Sequence, residues 1–167
     1  MMRPSTIPMA TLTMLVAVVL TVSLPNGAFA ELTFGEWATG QGYTPPGPVG
    51  WKCSAGEEGI ASMDGVSSYT NLQELYLWCN QISTLDAIPF QGLTNLQRLN
   101  LEGNRITTLD ANQFQGLTNL QRLDLEENQI STVDAHAFQG LTNLQELRLF
   151  QNQISTLTAH AFQGLTN

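Results

Sequence analysis

The stretch from Leu96 to Asn119, LQRLNLEGNRITTLDANQFQGLTN, recurs almost verbatim in frames that open at Leu72, Leu96, Leu120 and Leu144. A fixed period of this length dictates architecture before local propensity does, because each copy must be one unit stacked on the next. In the second copy Leu96, Leu99, Leu101, Ile106, Leu109, Phe114 and Leu117 are all apolar. A lone coil has no second layer to bury them, whereas stacked coils cover one another's apolar edges. Leu99-Asn100-Leu101 alternates as a strand does, with leucines inward and the polar residue outward. Stacking such strands predicts a parallel sheet with neighbouring coils about 4.8 Å apart. Asn80, Asn104, Asn128 and Asn152 stand where the chain leaves the strand. Their amides are expected to form a structural ladder, satisfying backbone groups that a buried turn leaves unpaired. Phe90, Phe114, Phe138 and Phe162 are expected to stack as an aromatic spine on the return path.

The repeated pattern LxxLxLxxNxI, followed by an apolar residue, a Phe and a Leu, resembles the leucine-rich repeat family in the longer-period form of many extracellular members. The resemblance implies an α/β-type leucine-rich repeat solenoid, β-rich, with a parallel sheet on the concave face and irregular or short helical turns on the convex face. The repeats then span 72–95, 96–119, 120–143 and 144–167. Ile60, Met63 and Tyr69 answer to Ile82, Leu85 and Leu93, and the segment from Ile60 to Leu72 is two residues shorter than its counterpart from Ile82 to Leu96. This entry unit resembles the internalin-type repeat, whose period is shorter. Residues 53–71 are read as an N-terminal cap and shortened repeat, shielding one end of the stack.

Differences among the copies gather at the outward positions of the strand. Row by row these are Glu74, Tyr76 and Trp78; Arg98, Asn100 and Glu102; Arg122, Asp124 and Glu126; Glu146, Arg148 and Phe150. Alternate strand residues share a face, so all of them point off one surface, with Cys79, Gly103, Glu127 and Gln151 at its rim. Arg98 is expected to pair with Glu74, Arg122 with Glu146, and Arg148 with Asp124, across neighbouring strands. Tyr76, Trp78 and Phe150 are large aromatics on a face that should be solvated, which marks a contact site. Between them lies an acidic field of Glu102, Asp124, Glu126 and Glu127. Leucine-rich repeat proteins usually bind on this face. The resemblance therefore implies a non-enzymatic binding module for a protein or peptide that carries basic and apolar groups. The competing reading is a solvated face shaped by drift.

The front of the chain obeys a different logic. Met9–Leu24 is an uncharged apolar run after a single Arg, broken by Pro25-Asn26-Gly27 and followed by Ala28-Phe29-Ala30. It is shorter than the ~20 residues a membrane span needs. Residues 1–30 read as a secretory signal cleaved between Ala30 and Glu31, so the protein is secreted or displayed at a cell surface, or in the periplasm of a bacterium, with no membrane insertion after cleavage. Residues 31–52, with TPPGPVG at 44–50, read as a Pro/Gly-rich linker without helical or strand period. Trp37, Tyr43 and Trp51 either dock on the first coil or lie exposed. The full chain has a net charge of −8. Arg3 is the only charged side chain in residues 1–30, so the remainder carries −9. That balance argues against nucleic acid as a partner, since phosphate binding rests on clustered Lys and Arg.

Cys53 and Cys79 are the only cysteines, both in the exported part and about one coil apart. Two thiols outside the cytoplasm tend to pair, given Cα atoms about 5 to 6 Å apart. The alternative is two separately packed thiols. Many extracellular leucine-rich repeat proteins carry a cap with four cysteines, and this chain has one there.

Asp86, Asp110 and Asp134 form a further ladder, and Thr158 takes the fourth place. A carboxylate column suits calcium, but Asp or Thr before a short turn also caps free N–H groups, and capping is the expected role. His136 and His160 stack without further ligands and read as surface residues. No GxSxG, HExxH or phosphate loop is present. Neither enzyme activity, nor a metal, nor a cofactor is expected. After Asn167 the pattern calls for another Leu-led coil. Its absence leaves Leu144, Leu147, Leu149 and Leu165 at an uncovered edge, which is expected either in a truncated piece of a larger surface protein or enzyme, or in a homodimer joined at that edge.

Overall fold

The structure, a computed structural model, describes residues 32–43, 45, 51–85, 88–158 and 160–165, with residues 32 and 51–54 described by backbone. The signal expected over 1–30, the Ala30–Glu31 junction and Asp86 lie outside the described residues. In chain order the elements are β1 (Leu32–Thr33), α1 (Phe34–Gly40), β2 (Trp51–Ser54), β3 (Ile60–Ser62), β4 (Leu72–Tyr76), β5 (Arg98–Asn100), β6 (Thr108–Leu109), β7 (Arg122–Asp124), β8 (Thr132–Val133), β9 (Glu146–Arg148) and β10 (Thr156–Leu157).

The main sheet runs β2-β4-β5-β7-β9, all parallel. Its register repeats once per coil: Glu74, Arg98, Arg122 and Glu146 stand side by side, as do Leu75, Leu99, Leu123 and Leu147, and Tyr76, Asn100, Asp124 and Arg148. Leu75, Leu99 and Leu123 are buried, with Leu77, Leu101 and Leu125 behind them. Period-two patterning thus puts one leucine row into the core and one polar row onto the open face. A second parallel sheet, β6-β8-β10, follows the turn. Its Thr side chains lie outward, and Leu109 and Val133 inward. Part of the path expected to be irregular is therefore a strand, because the Thr-Leu and Thr-Val pairs alternate too and stack on their copies.

The asparagine ladder is formed. Asn104 Oδ1 accepts the Ile82 N–H at 3.1 Å, and its Nδ2 donates to the carbonyls of Leu77, Leu101 and Glu102 at 2.9, 3.0 and 3.2 Å. Asn80, Asn128 and Asn152 repeat the arrangement, reaching Ile60, Ile106 and Ile130 of the coil before. Each amide thus bonds its own turn and the preceding coil together. A second ladder is not evident from the sequence: Asn95, Asn119 and Asn143 donate to the carbonyls of Thr70, Thr94 and Thr118. Phe90, Phe114, Phe138 and Phe162 stack with centroids 5.8 to 6.0 Å apart and planes within 10°. Gln113, where the other copies have Pro89, Ala137 and Ala161, is buried and bridges the Leu85 carbonyl and the Asp110 N–H.

Three expectations need correction at the N-terminal end. Residues 31–52 are not simply a linker. Thr33 caps α1 through a capping box with Glu36, each side chain satisfying the other residue's backbone N–H. Phe34, Trp37 and Ala38 of α1 are buried, Phe34 edge-on to Tyr69 at 5.6 Å. The cap begins here, ahead of residue 53, and β1 pairs with β3 to hold it. Gly35 and Gly65 allow the contact: Gly35 N–H donates to the Asp64 carbonyl at 2.7 Å, and a Cβ on Gly65 would stand 2.9 Å from the Gly35 Cα. Second, Trp51–Ser54 adds a fifth strand to the main sheet. Third, Cys79 is a free thiol. Cys53 registers with Leu75, four positions short of Cys79. Cys79 stands in the turn after β4, and its counterpart in the first coil is Glu57, which lies four residues past Cys53 and whose N–H donates to the Trp78 carbonyl at 3.0 Å. One coil at this edge takes 22 residues, from Cys53 to Leu75, whereas the two cysteines are 26 residues apart.

Candidate functional site on the concave sheet

The outward residues of β4, β5, β7 and β9 form three columns on one face. The first is Glu74, Arg98, Arg122 and Glu146, and the second Tyr76, Asn100, Asp124 and Arg148. Trp78, Glu102, Glu126 and Phe150 follow just past the strand ends. A cavity of about 250 Å³ opens over the middle, lined by Tyr76, Arg98, Asn100, Arg122, Asp124, Glu146 and Arg148. Trp78, Glu102, Glu126 and Phe150 flank it and do not line it. Glu146, expected chiefly as the ion-pair partner of Arg122, is part of the wall.

The expected ion pairs are all made. Arg98 Nη1 lies 2.8 Å from Glu74 Oε1, Arg122 Nε 3.3 Å from Glu146 Oε2, and Arg148 Nη1 3.5 Å from Asp124 Oδ2. Arg148 Nε also reaches Glu146 Oε1 at 2.6 Å, so that carboxylate is shared between two guanidiniums. Glu74 is 7% exposed and receives the Tyr76 hydroxyl at 2.8 Å as well. It is therefore a buried support for Arg98 and Tyr76, not a surface contact as expected. Burial, then the bond to Glu74, pushes the Tyr76 phenol up.

The aromatics differ from one another. Phe150 is 55% exposed. Tyr76 and Trp78 are half-buried. A Cβ on Gly56 would collide with the Trp78 indole, which lies on that glycine's backbone and roofs the first coil. The rim residues Glu57, Cys79, Gly103, Glu127 and Gln151 all have positive φ, one per coil. Burial, then the carboxylates of Glu57, Glu102 and Glu127, raise the Cys79 thiol, which keeps it protonated at neutral pH.

The acidic field is self-repelling. Burial raises the Asp124 carboxyl above its ordinary 3.8, with Glu102 and Glu146 adding to it. Burial and the carboxylates of Asp124, Glu102 and Glu127 raise Glu126 above 4.5. The folded chain thus holds these protons more tightly than the unfolded chain. Their stabilisation is complete below the ordinary values and is lost as pH rises through the raised folded ones. Acidifying from neutral pH into the window just above 4.5 is therefore stabilising through these groups. Glu126→Gln is expected to raise the thermal midpoint at neutral pH and to flatten its slope in that window. A neutral-pH midpoint no higher than the parent's overturns the assignment.

Away from this face, the carboxylate of Asp134 accepts the His136 N–H at 2.9 Å, a turn cap. Asp110 meets the Gln113 side chain instead. His136 and His160 are exposed. Among the described residues, no group of three or more His, Cys, Asp or Glu is placed to hold a metal ion, and no helix is long and apolar enough to cross a membrane.

Comparison with known proteins fits this geometry. The leucine rich repeat family model matches residues 70–130 and 118–167, more than half of the chain. The chain belongs to the leucine-rich repeat family. Among solved structures, the leucine-rich repeat chain of a TLR13–ssRNA13 complex superposes with a TM-score of 0.64 at 35% identity, over 67% of this chain and 16% of that one. A chain of an LRIM1/APL1C complex gives 0.62 at 24% identity, over 68% of this chain and 22% of the other, a likeness of fold. This chain therefore spans less than a quarter of either neighbour. None of the curated protein sequences compared is a match. Leucine-rich repeat solenoids are typically protein-binding modules and generally not enzymes.

Proposed function

We propose that this leucine-rich repeat protein is an exported, non-enzymatic module that binds a protein or peptide bearing basic and apolar groups on its concave face. The observation that carries this reading is Phe150, a large apolar side chain more than half exposed, on the same face as the acidic residues Glu102, Asp124 and Glu126. A solvated face gains nothing from an exposed Phe, whereas an interface does. One structural neighbour is a complex with single-stranded RNA, so membership of the family does not exclude nucleic acid. The net charge of −8 weighs for a protein partner.

The test selects displayed random peptides on the full chain. Binders are expected to be rich in Lys or Arg with aromatic or aliphatic residues. Phe150→Ala combined with Glu126→Gln is expected to weaken them about tenfold or more, as loss of a contact anchor does, with circular dichroism unchanged. Trp78→Ala is a poorer probe, because the indole also covers Gly56. Selected peptides that bind the double variant undiminished would refute the concave site.

A second reading is self-association at β9, which among the described residues has a sheet neighbour on one side. Leu157 is 52% and Phe162 44% exposed beside it. A second copy seated there would meet these apolar groups. Sedimentation of the chain at several concentrations tests the second copy, and a mass independent of concentration rejects it.

A further inference from the structure

The sheet register brings two like charges together. Arg98 and Arg122 stand directly opposite on β5 and β7, on strands about 4.8 Å apart, an arrangement that is destabilising unless something relieves it. Each is drawn outward to a different side. Arg98 leans to Glu74 on β4, and Arg122 to Glu146 on β9. Each ion pair is made by one nitrogen, with Arg98 bonded to Tyr76 as well, whereas a guanidinium offers five N–H donors in a fork. Arg122 is the less neutralised of the two. Its carboxylate is shared with Arg148, its own contact is the longer, and its side chain is 60% exposed. Arg98 and Arg122 both line the cavity, whose wall also carries Asn100 and Tyr76.

We infer that Arg98 and Arg122 form a seat for one carboxylate of a peptide ligand, whose basic residue lies about four positions away over Glu102 and Glu126. This deepens, and rests on, the concave-face reading. A carboxylate matches the fork of a guanidinium with two parallel hydrogen bonds, and it places a negative charge where the register sets two positive ones. The seat takes a single anion. Asp124 occupies the next column, and Glu102 and Glu126 the one after, so a phosphate backbone continuing past the arginine column would meet carboxylates. Glu102 and Glu126 follow Arg98 and Arg122 by four residues, just past the strand ends, a separation of at most about 13 Å. An extended peptide lying along the strands spans that distance with an acidic residue and a basic one four apart. The face thus selects a ligand of mixed charge, not merely a basic one.

The test uses the full chain at low salt and the peptide acetyl-Glu-Thr-Val-Thr-Lys-amide. It compares versions with Gln for Glu and Gln for Lys, and a short oligouridylate, following the side-chain Nε–H resonances of Arg98 and Arg122. The parent peptide is expected to shift both saturably. Replacing its Glu by Gln is expected to weaken binding about tenfold, the effect of losing a charge-assisted bond. Arg122→Gln is expected to abolish that difference while retaining the preference for Lys. Arg122 is chosen over Arg98 because Arg98 is bound to the buried Glu74 at 2.8 Å, so its loss would disturb the sheet itself. Equal binding of the Glu and Gln peptides overturns the seat, as does a preference that survives Arg122→Gln. So does an oligouridylate that binds more tightly than the peptide, or no saturable shift at about 10 mM. In each case the concave-face reading stands or falls separately, on the selected peptides and the Phe150→Ala, Glu126→Gln protein.

Discussion

Phe114→Ala is expected to lower stability by about 3–5 kcal/mol, the range for removing a fully buried aromatic side chain. The ring is wholly buried and has Phe90 on one face and Phe138 on the other, at 5.9 and 6.0 Å. Truncation opens a cavity that neither neighbour can close, because each is held by its own coil. Against a total of roughly 5–15 kcal/mol for a natural domain, that loss brings the chain close to unfolding at room temperature. The repeat supplies its own control. Phe162→Ala removes the same side chain at the same place in a coil, but that ring is 44% exposed and, among the described residues, stacks on Phe138 alone. Its cost is expected to be less than half. Urea midpoints of the two variants check the pair, and equal losses would mean that the stack is not what the phenylalanines contribute.

Asn104→Ala is expected to cost about 3 kcal/mol or more. The substitution strands the buried Ile82 N–H, which costs about 1–3 kcal/mol. It also removes one of two donors from the carbonyls of Leu77, Leu101 and Glu102, which keep Asn80, Asn128 and Cys79, at about 0.5–1.5 kcal/mol per lost bond. Asn104→Asp separates the two halves of the role. A carboxylate can still accept from Ile82, but it turns an oxygen toward the carbonyls of Leu77, Leu101 and Glu102. If accepting were the main contribution, Asp would restore most of the loss. The geometry predicts that it does not, and that Asp is at least as damaging as Ala. A denaturant midpoint for Asn104→Asp near the parent's would refute the account.

What the sequence disclosed follows from repetition. A position that recurs in every coil must meet its own copies, so the leucine rows, the asparagine ladder, the phenylalanine stack and the register of Arg98 on Arg122 could all be read without coordinates. The cross-strand pairs of Arg98, Arg122 and Arg148 followed from that register alone. Parts that occur once were harder. Thr33-Phe34-Gly35-Glu36 carries a capping-box signal, but the nearby Pro and Gly residues at 44–50 masked it, and nothing in a single copy said that Trp37 would bury. Whether Cys53 and Cys79 pair stayed open because the length of the first coil is not readable from the regular repeats: Cys53 stands beside Leu75, 22 residues on, and Cys79 is a free thiol. Trp78 looked exposed by strand parity. It is half-covered because the row before it ends in Gly56, whose missing side chain leaves room for the indole. The assignment of the open face to binding came from the family resemblance and from exposed aromatics, of which Phe150 remains the clearest.

The direction of the asparagine bonds bears on how such a chain is made. Ile82 donates to Asn104, one coil further on, and Ile60, Ile106 and Ile130 donate to Asn80, Asn128 and Asn152 in the same sense. A coil leaving the ribosome can bond its own turn through its asparagine, but the N–H of its isoleucine finds its acceptor only in the next coil. It waits for its successor, so that order trails synthesis by one repeat, each new segment locking the one already out.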